Sequence, residues 1–158
     1  MHANFKPAIL LFGLFVILQF TSGVTMYSLR AGISYADTLE YYFGSEEAGR
    51  RFPGREDRFI EPKTLAGIAK SQTPHSIAFG LIFFILAHLV RSLDVNRRIT
   101  RFATASFLVF AVADFLLPFL VLTGLDIFLW IRFPVMVFYS VAGSGLVILL
   151  CTKVLSSS

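Results

Sequence analysis

Four residues carry the chemistry this sequence could do: His75, His88, Asp114 and Arg132. Each falls inside or at the edge of a long apolar run, where an ionisable side chain is expensive and is a functional candidate by default. Imidazole nitrogen is a natural axial ligand for haem iron. His75 and His88 are therefore the candidate cofactor-binding and metal-ligating residues, and a b-type haem is the candidate cofactor. The two lie thirteen residues apart, a rise of about 20 Å and a rotation of about 220° on a helix. The rise suits two depths in a membrane, but the angle does not suit one shared face. A bis-histidine haem needs a second imidazole, and no span offers one besides these two. His paired with Met26 or Met136, or a haem shared with another subunit, satisfies the count. The alternative for both histidines is a structural role, in which His75 caps the interface and His88 hydrogen-bonds a neighbouring helix.

Asp114 and Arg132 read as a structural ion pair. Either alone in hydrocarbon costs on the order of 2.5–3.5 kcal/mol. The turn Thr123-Gly124-Leu125-Asp126 is short, so the flanking runs must return antiparallel. Counting from that turn places Asp114 about opposite Val135, with Arg132 roughly 4.5 Å nearer the turn. A guanidinium side chain spans that offset, and the pairing lowers both costs. The competing readings are an Arg132 that snorkels to the headgroups and an Asp114 that relays protons. No nucleophile–base constellation, phosphate loop or multi-ligand metal cluster is visible, so no catalytic residue is assigned. Cys151 is the only cysteine, which excludes an internal disulfide and multi-cysteine metal sites.

These residues must be positioned by membrane helices. The 158 residues are 56% hydrophobic, with a mean hydropathy of +0.72, above the usual apolar share of a soluble domain. Span one covers 7–27 and carries no charge. It is long enough to cross a hydrocarbon layer of about 30 Å. A cleaved signal peptide is its rival reading, weakened by a basic region of Lys6 alone and no small-residue cleavage motif. Span two covers 74–91, with Thr73 as its cap and Pro74 in its first turn. Span three covers 102–122 and span four 127–151. The small residues Ser76, Gly80 and Ala87 fall within roughly 40° on span two and form a stripe for close helix approach.

Residues 28–72 form the one sizeable polar segment, with seven cationic and seven acidic side chains. Ser34 is its candidate N-cap, Asp37 suits a first turn and Gly44 is a stop. A second short helix is expected from Pro62 onward. The loop SLDVNRRITR carries Arg97, Arg98 and Arg101 beside Arg91, against Asp94 alone. Short arginine-rich loops stay in the cytoplasm. This predicts cytoplasmic N- and C-termini and an extracytoplasmic 28–72 segment, in a bacterial inner membrane. The fold class expected is all-α: a polytopic four-helix transmembrane bundle with a small extracytoplasmic cap, forming a single membrane domain. The net charge of +4 bears on orientation, and with no basic stripe interleaved with aromatics, nucleic acid is excluded as a partner.

The run TPHSIAFGLIFFILAHL resembles the histidine-bearing helices of small cytochrome-b-like four-helix bacterial membrane proteins. Glu61-Pro62-Lys63 followed by Thr73-Pro74-His75 also resembles a segment of other bacterial membrane proteins. The resemblance covers about a fifth of the chain and departs from the pattern, because cytochrome-b-like bundles bring paired histidines from two helices. It implies electron transfer between quinone and a haem partner. The function expected is thus an integral membrane subunit of a respiratory-type electron-transfer complex, contributing a b-type haem ligand. The alternative is a cofactor-free scaffold or accessory subunit of a larger membrane assembly. Both imply the lipid bilayer and other membrane or extracytoplasmic subunits as partners.

Overall fold

The computed structural model describes residues 5–53, 59–91 and 96–156. Five helices account for them: α1 (Lys6–Ala31), α2 (Tyr35–Arg51), α3 (Leu65–Arg91), α4 (Arg97–Val121) and α5 (Asp126–Ser156). There is no strand among the described residues. All except α2 are long and apolar enough to cross a membrane. The shortest of these four has 25 residues, roughly 38 Å at the α-helical rise. The architecture is an all-α polytopic membrane bundle.

Lipid offers backbone groups no partner, so every segment at bilayer depth must bond to itself. The sequence meets this even where it is polar or proline-containing. Thr21 and Thr25 in α1 turn their hydroxyls back onto the carbonyls of Ile17 and Thr21, each at 2.9 Å. Pro74 lies inside α3, and the hydroxyls of Thr73 and Ser76 bond the Ala69 and Thr73 carbonyls beside it. Thr73 is therefore an interior residue of α3 and not its cap. The helix begins at Leu65 and absorbs the short helix expected after Pro62. His75 consequently sits ten residues inside α3, about 15 Å from its start, and not at its cap-side end.

The cap is also more continuous than its glycine suggests. Ser34 accepts a hydrogen bond from the Asp37 amide at 3.1 Å and starts α2. At Gly44 the backbone takes φ 85°, and the helix changes direction before resuming to Arg51. A Cβ at this position would lie 2.7 Å from the Ile60 carbonyl oxygen. Glycine is thus required by both conformation and space. Backbone bonds from Ser45 N–H to Ile60 and from Lys63 N–H to Tyr42 hold the returning chain against α2.

The central helix is α5. It packs antiparallel on α4 across the tight turn and antiparallel on α1. Gly13 meets Val147 and Cys151 of α5, and the Phe20 ring lies against Gly143, which has no side chain to hold it off. Small residues at these crossings let the backbones approach. Phe20, Phe107 and Tyr139 form an aromatic knot, with ring centroids 5.2–5.9 Å apart. With Leu86, Val90, Leu146 and Leu150 it makes the main core. A second cluster of Leu39, Tyr42, Ile68, Val121 and Leu129 seats the cap on the helix ends.

The order around the bundle is α1, α5, α4, α3, and it does not close. From Phe79 to Val90, α3 leans on α4 and α5 through Phe79, Phe83, Leu86 and Val90. At the cap end it stands away from α1, and the two helices scarcely touch. Gly80, at the centre of the Ser76, Gly80 and Ala87 stripe, is not at an intrachain crossing: a Cβ there would meet open space.

Candidate functional site

The gap between α1 and α3 is a cleft of about 460 Å³, roofed by α2 and floored by α4 and α5. Its polar groups come in tiers set by helix position. Arg30 near the end of α1 and Lys63 in the loop before α3 stand at the rim. The Lys63 ammonium rests over the Tyr41 ring, 4.6 Å from its centroid. Neither cation forms a salt bridge with a described residue.

The next tier is the ion pair. Arg132 Nη1 donates to Asp114 Oδ1. Both residues are buried, at 5% and 6% exposure. Arg132 lies six residues inside α5, about 9 Å from its start. Arg132 Nε lies 3.4 Å from the Tyr42 hydroxyl of the cap, and its guanidinium stacks over Tyr27 of α1, 5.1 Å from the ring centroid. Three elements thus converge on one guanidinium. Burial at this level in both partners fits an interior pair and not a snorkelling arginine.

Deeper still are Gln19, His75, Met136, Tyr139 and Ser140. Ser140 bonds back to the Met136 carbonyl at 2.9 Å. Tyr139 is 2% exposed, and its hydroxyl is buried without a hydrogen-bond partner. The Tyr27 hydroxyl lies toward Thr38 but outside hydrogen-bonding geometry. A buried hydroxyl left unpaired costs about 1–3 kcal/mol, so these two are the places where the cleft invites a further polar group.

The two histidines diverge. His75 borders the cleft, stacks on Phe79 at 5.8 Å and is exposed at the bundle surface. His88 stacks on Phe84 at 6.3 Å, is exposed and does not line the cleft. Among the described residues no three of His, Cys, Asp and Glu come together to hold a metal. Iron would have to come within a haem-type group. For such a group the chain supplies one imidazole at each depth. At His75 the buried thioether of Met136 lines the same cleft, with Met26 nearer its mouth. At His88 the second ligand would have to come from another chain. His2 and Asp94 lie outside the described residues.

The sequence points to Asp114, Arg132 and His75, and to Tyr42 only as one of several cap aromatics that face a partner or the lipid interface; Tyr27 and Tyr139 are not among its candidates. Tyr139, midway along an apolar run, is a readable signal, because its hydroxyl needs a partner when buried. What the sequence lacks is the gap between α1 and α3 that brings these rings to one space.

Fold and site together define a polytopic α-helical membrane protein with a tiered polar cleft between two of its helices. Over residues 32–158 the chain matches, and belongs to, the Aq_1264_TM family, a transmembrane helical domain. No curated protein and no solved structure matches it.

Proposed function

We propose that this integral membrane protein is a subunit of a respiratory-type electron-transfer assembly, and that α3 is the helix it presents to a redox partner. The observation that carries this reading is that α3 is the least covered span, with His75 and His88 both on its exposed surface. Two imidazoles facing out of a membrane helix are costly unless something meets them. A b-type haem shared with a second subunit would engage His75, whose depth also holds Met136. Bound there, haem would supply one-electron chemistry. The residues of this chain would ligate and orient it, with Phe79 packing against the imidazole. The Arg91–Arg101 end is assigned to the cytoplasm by its positive charge, with the cap outside a bacterial inner membrane.

A cofactor-free scaffold is the second reading. It is favoured by the stacking of both imidazoles on phenylalanines one turn away in the same helix, which packs them without a metal. Reduced-minus-oxidised spectra of the native membrane complex separate the two. His75→Ala should remove a b-type band that His88→Ala retains. Unchanged spectra and turnover in both variants would discard the haem and leave the scaffold.

A further inference from the structure

We propose that the cleft between α1 and α3 is the binding site for an uncharged membrane amphiphile whose head carries carbonyl oxygens. This inference does not rest on the electron-transfer reading, since the cleft lies between elements of this chain alone. Three observations converge on it. The first is the unpartnered Tyr139 hydroxyl, enclosed behind residues that line the cleft. Its oxygen has almost no accessible surface, so an acceptor pairs with it only by entering from the cleft and parting the side chains around it.

The second observation is charge. At depth the lining holds Arg132 and Asp114, which cancel through their salt bridge, and otherwise neutral groups. An anionic head placed there would lose its hydration in a low-dielectric site whose one deep cation is already paired, whereas a neutral carbonyl avoids the desolvation of a charge. Arg30 and Lys63 stand at the rim, more than two turns of helix above Tyr139. The third is access. Because α1 and α3 scarcely touch at the cap end, the cleft is flanked by two helices of bilayer length, and an apolar tail can leave between them. Its volume of about 460 Å³ falls in the range of small-molecule sites. Phe20, Phe79 and Tyr139 supply aromatic walls.

Gly23 gives a clean steric test. It lines the cleft, and a Cβ there would meet nothing within 4 Å. Gly23→Leu should therefore fill the cleft without disturbing the fold. Tyr139→Phe removes only a hydroxyl that has no partner, so it too should fold. Gly145→Leu, which also points into open space and lines no part of the cleft, is the control.

The experiment is equilibrium binding of two radiolabelled neutral probes to the full chain in nanodiscs. One is a decyl-tailed benzoquinone and the other a dioctanoylglycerol, with phosphatidylglycerol as the anionic competitor. Thermal unfolding verifies that each variant is folded. Saturable binding of either probe is expected, weakened about three- to tenfold by Tyr139→Phe, as befits one neutral hydrogen bond. Gly23→Leu should abolish it, Gly145→Leu should leave it unchanged, and phosphatidylglycerol should not compete. No saturable binding of either probe would overturn the proposal. So would wild-type affinity in Gly23→Leu or Tyr139→Phe, or displacement by the anionic lipid. Preference for the quinone would support the electron-transfer reading as well. Preference for the acylglycerol would count against that reading while leaving the site in place.

Discussion

Arg132 shows how one side chain can be held from several directions. Its guanidinium is committed to Asp114, turned toward the Tyr42 hydroxyl and covered by Tyr27. Removing one partner of a buried pair strands the other charge, at a cost of about 3–5 kcal/mol. Asp114→Ala and Arg132→Ala should each lower thermal stability in detergent by that order. The double variant should lose less than the two losses added, because no charge is then stranded. Strictly additive losses would show that the two do not act as a pair. Arg132→Ala should also loosen the cap, since its contact with Tyr42 crosses from α5 to α2.

At the scale of elements, α2 is the piece whose attachment is most easily dissected. The Tyr35 hydroxyl donates to Asp126 Oδ1 at 2.7 Å, and Arg51 reaches the same oxygen at 3.0 Å. Tyr35 also stacks on Trp130 at 5.1 Å. This network ties both ends of α2 to the first turn of α5. Gly44 sets the bend between those ends. Gly44→Ala forces a side chain into a positive φ and against the Ile60 carbonyl, so a loss of about 1–3 kcal/mol is expected. Limited proteolysis of the cap should reveal it before the spans unfold. The pH dependence follows from the same tyrosines. Burial is the first cause that raises the Tyr42 and Tyr35 hydroxyls above their ordinary pKa. For Tyr35 the hydrogen bond to Asp126 adds to it. Their protonated forms are favoured in the folded cap. Their contribution is complete below the ordinary tyrosine value of about 10 and is lost as pH rises beyond it. Cap protection measured by hydrogen exchange should hold through neutral pH and decline above about pH 10. Tyr42→Phe should blunt that decline.

The whole molecule places its ends by counting helices. With four spans, the cap and the α4–α5 turn share one side, and the ends of α3 and α5 share the other. In a Cys151→Ser background, Glu46→Cys and Lys153→Cys should be labelled by an impermeant reagent from opposite sides of the membrane. Labelling of both from one side would require a different number of crossings. Under the orientation proposed from the arginine-rich end, Glu46→Cys is the one labelled in intact cells.

What the sequence determined alone was set by local and one-dimensional physics. Apolar runs of bilayer length specified four spans, the short Thr123–Asp126 turn made α4 and α5 antiparallel, and counting from it brought Asp114 into reach of Arg132. Ser34 and Asp37 marked the start of α2 for the same local reason. Pro74 resembles a first-turn proline in the sequence, yet α3 begins at Leu65. In lipid, the Thr73 and Ser76 hydroxyls and the helix on either side carry the chain through it. The cleft was not legible at all. Tyr27, Tyr42 and Tyr139 are 15 and 97 residues apart in sequence. They share a space only because Gly13 and Gly143 draw α1 tightly onto α5, while α3 packs on α4, α5 and the cap but not on α1. That difference is decided by long-range packing between helices whose apolar faces look alike in sequence.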